Sequence, residues 1–349
     1  MDLFAFTRWL MDIPSVSGDE AAVARALAAH LEGTGYQVEL QQVAGERANV
    51  FATTSTRPRI VLSTHMDTVP PHTPASEDEE YIHGRGACDA KGIIAAQIFA
   101  AARLRAEGVE EIGLLFTVDE EQASTGARAA NEHPRARECE FLINGEPTDN
   151  LLAVGSKGSL RVRLKTTGRA AHSAYPEQGE SAIEKLLDVL AEMRAHNWPR
   201  DEFFGATTCN IGTINGGAAS NIIPAQAEAV LQFRLVTDAA RIKNELARIA
   251  ADRAQVEYLS ISEPVRLHAV AGFAQTVVRF TTDIPYLSNW GAPLLIGPGS
   301  ILDAHTAHER IAKRELEQAV ELYVRLARAL LAQTETDTRT DGRAEGAQR

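Results

Sequence analysis

His65 and Asp67 stand two residues apart at the end of the apolar run Ile60-Val61-Leu62. An imidazole with a carboxylate beside it suits a metal ligand and the group that orients it. On a strand, residues two apart point the same way. A short β-branched run ending in polar residues reads as a buried strand that presents side chains at its C-terminal end, where open α/β sheets bind ligands. The arrangement recurs. Ile112–Val118 is almost wholly apolar and ends in Asp119-Glu120-Glu121, and Phe141-Leu142-Ile143-Asn144 ends in Gly145-Glu146. Gly84, Gly86 and Gly92 bracket Asp89 in a loop able to set it tightly against another group. His305 completes the set. Two imidazoles and three carboxylates suffice for two zinc ions with one carboxylate bridging. A two-metal hydrolase also needs one unliganded carboxylate as general base. The adjacent Glu120 and Glu121 point in different directions and can divide those roles.

The elements that must position these residues follow from the patterning. Residues 2–12 and 19–33 read as helices, the second capped by Ser17 or Asp19. Tyr36 to Val43, Asn49 to Thr53, Ile60 to Thr64, Ile112 to Val118 and Glu140 to Asn144 read as strands, with helices from Gly92 to about Glu107 and from near Thr125. Strands alternating with helices mean a doubly wound, mainly parallel α/β sheet. Near Lys157 the period changes. Leu160, Val162 and Leu164 alternate with Arg161, Arg163 and Lys165, as in a sheet with one wet face. The following β-α-β-β-α-β order is that of a small α+β, ferredoxin-like domain. The expected division is therefore a catalytic domain in two parts, 1–157 and 268–333, an inserted lid or dimerisation domain at 158–267, and a disordered tail at 334–349. The run 71–83, with its acidic residues Glu77 to Glu80, reads as a solvated loop at the rim of the site.

The chain has 349 residues, more than one core comfortably serves, which favours two domains. A net charge of −12 argues against nucleic acid or an anionic membrane as partner. Cys88, Cys139 and Cys209 form no CxxC pair, which fits a reducing, cytoplasmic setting. The N-terminus shows no signal peptide, and no apolar stretch spans a membrane. The glycines at 84, 86 and 92 do not form GxGxxG, which speaks against a dinucleotide-binding protein.

Five segments in order resemble the dinuclear zinc amidohydrolases and exopeptidases that include acetylornithine deacetylase, succinyl-diaminopimelate desuccinylase, aminoacylase and glutamate carboxypeptidase. They are Ser63–Pro70, Gly84–Gly92, Asp119-Glu120-Glu121, Gly145-Glu146-Pro147-Thr148 and Ala304-His305-Thr306. The resemblance implies that His65 and Glu146 hold one ion, Glu121 and His305 the other, and Asp89 bridges them. It implies that Asp67 orients His65, that Glu120 is the general base, and that the Asp89–Ala90 peptide is cis. The ions would be zinc, with cobalt as the alternative. In the inserted domain, Gly168–Ser173 resembles a loop whose histidine, here His172, reaches across a homodimer into the partner's site. Asn221, Arg234, Gly297 and Gly299 resemble substrate-binding positions. The implied reaction is hydrolysis of the amide of an N-acyl amino acid, acetylornithine first, with desuccinylase, carrier-protein-lysine hydrolase and dipeptidase or carboxypeptidase as alternatives. A non-catalytic relative is the reading from another class; the chain lacks none of the implied ligands. The stretch Thr306-Ala307-His308-Glu309 departs from the usual Pro-Asp-Glu, and His308 is expected not to be a ligand.

Overall fold

Helices α1 (Leu3–Met11) and α2 (Ala21–Gly33) lead into an antiparallel pair, β1 (Gln37–Ala44) and β2 (Arg47–Thr53), and then into β3 (Ile60–His65). The computed structural model describes residues 1–55 and 57–345, with side chains as far as Gln333. Two short strands, β4 (Ser76–Glu77) and β5 (Tyr81–His83), precede helix α3 (Lys91–Ala106). Then come β6 (Ile112–Thr117), α4 (Thr125–Asn131), β7 (Phe141–Asn144) and β8 (Leu152–Ser156). Two compact units result: Met1–Val154 with Leu267–Thr276 and Thr282–Arg349, and Gly155–Arg266 with Val277–Thr281.

The main sheet of the first unit runs β1-β2-β6-β3-β7, then the strand Ala292–Leu295, then β8. Its centre is parallel: β6 with β3, β3 with β7, and β7 with Ala292–Leu295. Its edges are antiparallel. The central strands are buried at every position and open on apolar residues because both faces are covered, with the polar Ser63, Thr64, His65, Thr117 and Asn144 at their C-terminal ends. Ile60, Leu62, Phe116 and Ile143 pack with residues of α2, α3 and the C-terminal helix, including Leu27, Ile94 and Leu326. Val61, Leu115 and Leu142 pack with Ala127, Ala130 and the fully buried Trp290 on the other face. Such two-sided burial is what a doubly wound parallel sheet demands. Truncating Leu62 to alanine would cost about 2–5 kcal/mol.

The second unit contains β9 (Gly158–Thr167), α5 (Ala182–Ala195), strands Thr208–Gly216 and Gln226–Leu235, α6 (Ala239–Ala250) and the strand Gln255–Ser262. Its four strands pair antiparallel in the order Thr208–Gly216, Gln226–Leu235, β9, Gln255–Ser262. The alternation in β9 puts Leu160, Val162 and Leu164 beneath Leu186 and Leu190 of α5 and Ile242 and Leu246 of α6. Ser181 and Asp238 cap those helices by accepting from Glu184 N and Ala240 N.

Several expectations need correction. The segment 71–83 is not simply a solvated loop. β4 and β5 form a small sheet with Arg310–Ala312, and the acidic run is engaged: Glu77 pairs with Arg8 and Lys313, and Asp78 with His83. Helix α2 is not capped by Ser17 or Asp19; Glu20 stands at its N-cap, without a side-chain capping bond. Residues Val277–Thr281, expected in the catalytic domain, belong to the second unit, where Lys157 N donates to Val278 O and Ser156 Oγ to Phe280 O. Of the tail from Thr334, expected to be disordered, the backbone is described as far as Glu345. The C-terminal helix runs Lys313–Glu345, and no proline and only one glycine, Gly342, interrupts it. Residues 346–349 of that tail lie outside the described residues.

Candidate active site

Strand β3 ends at His65, so Asp67 lies just past the strand, and alternation is not what sets it beside the imidazole. His65 Nδ1 lies 2.9 Å from the carbonyl oxygen of Asp67 and 3.5 Å from its carboxylate. The carbonyl thereby fixes the ring, leaving Nε2 to face the site. Nε2 lies 2.9 Å from Asp89 Oδ1 and 3.9 Å from Glu146 Oε2. Gly145 N donates to Ser63 O, and Thr64 Oγ1 donates to Gly145 O, tying the turn that carries Glu146 to the end of β3.

A second imidazole meets the other side of Asp89. His305 Nε2 lies 3.2 Å from Asp89 Oδ2 and 2.8 Å from Glu121 Oε1. The two oxygens of Asp89 thus face two different histidines, the geometry of a bridging carboxylate. The Asp89–Ala90 peptide is cis. Asp119 and His305 both adopt left-handed backbone conformations, φ 70 and 62, which few residues other than glycine do. The first turns the chain after β6 so that Glu120 and Glu121 face the cluster. Asp67 then holds that turn by accepting from Glu120 N at 3.1 Å and Glu121 N at 3.2 Å.

The electrostatics match the geometry. His65, Asp67, Asp89 and Glu146 are all buried. Bonds to Asp89 and Glu121 push the His305 imidazole up to about 10. Burial would lower His65, yet its bonds to Asp67 and Asp89 leave it well above the usual histidine range. Burial pushes Glu146 well above the usual carboxylate range. Burial and then the neighbouring Glu146 do the same to Glu120. Carboxylates outnumber imidazoles here, and the cluster's field calls for positive charge. Glu146 Oε1 is buried with no hydrogen-bond partner among the described residues. His65, Asp89 and Glu121 each offer a ligand atom within 4.8 Å of the others. The donor set, imidazole nitrogen with carboxylate oxygen, fits divalent first-row ions.

His308 is exposed, and its backbone amide donates to Thr306 Oγ1. Gly297 and Gly299 lie in the first unit. Gly297 O accepts from Thr148 N and Asn150 N. Gly299 sits at φ 84, with Cys88 Cβ only 2.5 Å from where a Cβ would stand, so no larger residue fits there. In the second unit, His172 and Asn221 are brought together: His172 bridges to Ile222, Ser173 N donates to Asn221 O, and His172 Nδ1 accepts from Ala174 N. Both residues are exposed. Arg234 is half-buried on Gln226–Leu235, its Nη1 3.4 Å from Thr281 Oγ1.

Two buried carboxylates escaped the sequence reading. Asp283 accepts from Thr117 Oγ1 at 2.8 Å, at the end of β6, and burial raises its carboxyl to about 6. It follows no apolar run and is 166 residues from its partner in sequence, so no local pattern marks it. Glu309 accepts from the loop that carries Asp89. Its place after His305 is visible in the sequence, but its partners are not.

Comparison with known proteins decides the family. Residues 154–257 match the peptidase dimerisation domain of M20 peptidases. A peptidase M20 domain-containing protein of Schizosaccharomyces pombe is 38% identical over 336 residues, covering 93% of this chain and 84% of that protein. This chain belongs to the M20 peptidase family. A protein of Aspergillus clavatus named as a probable carboxypeptidase is 38% identical over 376 residues, covering 95% of this chain and 83% of its own. Among solved structures, a tripeptidase of Staphylococcus aureus shares the fold with a TM-score of 0.77 at 21% identity, covering 93% of this chain and 98% of that one. A dinuclear metal-binding M20 peptidase of Bacillus subtilis does so at 0.69 and 16%, covering 94% and 98%. This M20 chain is a metal-dependent hydrolase, an α/β catalytic unit joined to a dimerisation domain. Among the described residues no helix is long and apolar enough to cross a membrane.

Proposed function

We propose that this chain is a two-metal exopeptidase that hydrolyses the amide next to a free carboxylate, acting on dipeptides or C-terminal residues. The observation that carries this reading is the Asp89 carboxylate, whose two oxygens face His65 and His305 on opposite sides. The carboxypeptidase name of a relative 38% identical over nearly the whole chain supports the peptide substrate. His65, Glu146 and Asp89 would hold one divalent ion, and Glu121, His305 and Asp89 the other. Bound there, the ions supply Lewis-acid polarisation of the scissile carbonyl and acidify water, zinc being the expected metal and cobalt the alternative.

The residues of this chain do the rest. Glu120 is held at the cluster's edge through its backbone amide, and in the metal-free chain burial and the neighbouring Glu146 raise the proton affinity of its carboxylate. It takes the proton of the attacking water and passes it to the leaving amine. His172, supplied by a second copy of the chain, donates to the oxyanion. Asn221, Arg234, Gly297 and Gly299 contact the substrate.

A C-terminal peptide bond and an N-acyl amino acid share one reacting group, an amide nitrogen on a carbon bearing a carboxylate. Deacylation of acetylornithine or a succinylated amino acid is therefore the same chemistry on a different acyl group. The test is a panel of dipeptides, N-acetyl and N-succinyl amino acids, and C-terminally amidated dipeptides, assayed with the zinc- and cobalt-loaded protein. The reading expects dipeptides to be preferred and amidation to abolish turnover. Preference for N-acetylornithine would replace the peptide substrate, and turnover of the amidated compounds would remove the carboxylate requirement.

A further inference from the structure

Glu309 is a charged residue buried to 2% exposure, four positions after His305. Its Oε1 accepts from the backbone amides of Gly86 at 2.9 Å, Cys88 at 3.3 Å and Asp89 at 3.3 Å. Its Oε2 accepts from Arg85 Nη1, itself in a buried side chain. Several amides converging on one oxygen make an anion-binding nest, and here the chain fills its own nest. Bonds to an ionised acceptor are roughly twice as strong as neutral ones. The backbone tightens the link, because Gly84 N donates to Glu309 O and Arg310 pairs with His83. One side chain thus joins the loop bearing Asp89 to the loop bearing His305, over 220 residues of sequence.

We infer that Glu309 is a positioning residue that sets the separation of Asp89 and His305 and thereby the affinity for the ion those two residues share. The inference rests on the two-ion reading above. Glu309 touches neither ion nor substrate; it fixes the backbone on which two ligands stand. Groups that orient ligands in this way typically govern affinity about 10- to 100-fold.

Glutamine in place of Glu309 keeps the shape and one acceptor. Its amide oxygen can face the three backbone N–H groups, but its NH2 then meets the Arg85 guanidinium, donor against donor. Replacing Arg85 by glutamine as well supplies an acceptor for that NH2. The experiment measures stepwise zinc affinities by competition with a chromophoric chelator, and the melting temperature of the metal-free protein, for wild type, E309Q and E309Q/R85Q. E309Q should bind its first ion as wild type does and its second about 10- to 100-fold more weakly, with the double variant recovering much of that loss. Second-ion affinity in E309Q equal to wild type overturns the inference. So does equal weakening of both ions that follows the melting temperature, which is what a merely structural role would give. If E309Q does not fold, E309D, which keeps the charge but falls short of the amides, is judged by the same criteria. Wild type that binds fewer than two ions overturns the two-ion reading itself, and so fails in a distinguishable way.

Discussion

Asp67 accepts a hydrogen bond from the backbone amide of Glu120 at 3.1 Å, and its other oxygen accepts from Glu121 N at 3.2 Å and Ser17 Oγ at 2.7 Å. The residue expected to orient His65 therefore does more with its carboxylate for the turn carrying Glu120 and Glu121, while its carbonyl meets the histidine at 2.9 Å. Asparagine at 67 would set an NH2 against one of these donors. D67N should lower kcat about 10- to 100-fold while retaining most bound metal. Steady-state kinetics beside metal analysis check this; unchanged kcat would show that the Asp67 carbonyl alone suffices.

Glu120→Gln should keep both ions and lose about 100- to 10,000-fold in turnover, because in the proposed mechanism the same group accepts the water proton and protonates the leaving amine. Glu120 is attached to the cluster through its backbone amide, so the glutamine variant leaves the arrangement of the surrounding imidazoles and carboxylates intact. Near-normal turnover in a metal-replete E120Q protein would assign the proton transfers elsewhere.

Asp283 offers a test through stability. Its carboxyl rises from 3.8 to about 6 on burial. Below pH 3.8 the group is protonated in both the folded and the unfolded chain and adds no pH dependence. Between the two values the unfolded chain releases its proton while the folded chain keeps it, so stability falls as pH rises, and the loss then stays constant. That gap is worth about 3 kcal/mol. Asparagine can still accept from Thr117, and its NH2 replaces an oxygen that has no partner among the described residues. Chelator-treated D283N should therefore melt above wild type at pH 7.5, with the difference shrinking by pH 4. Equal melting temperatures at both pH values would contradict the buried-charge account.

The sequence carries the parallel strands plainly, because a strand covered on both faces must be apolar throughout, as Ile60–Leu62 and Ile112–Phe116 are. It carries the proposed ligand positions Glu121 and Glu146 and the neighbouring His65 because each follows such a run, and Asp89 because glycines bracket its loop, whereas His305 is marked only by the resemblance of its motif. What it hides are pairings across long stretches of chain. Glu309 with the Asp89 loop and Asp283 with Thr117 are single buried charges without periodicity. The pairing of Arg310–Ala312 with β5 was masked by an acidic run whose ion pairs with Arg8 and Lys313 lie far off in sequence. The return of Val277–Thr281 to the second unit depends on backbone bonds that no side-chain pattern announces.

The last prediction concerns a second copy of the chain. The strand Thr208–Gly216 ends the four-stranded sheet and is largely exposed, with Ile214 at 51%, and α5 leaves Leu187 at 51%. An edge strand has unpaired backbone groups that a symmetry mate can satisfy. These residues lie in the segment that matches the peptidase dimerisation domain. If His172 serves the site of the other chain, His172→Ala should lower turnover strongly and leave metal content unchanged. Mixing inactive E120Q chains with inactive H172A chains then gives heterodimers in which one site holds both defects and the other neither. Activity should reappear on mixing, at up to half the wild-type value per heterodimer. Mass spectrometry of differently tagged chains verifies exchange. With exchange verified and activity still absent, His172 acts within its own chain or takes no part in the reaction.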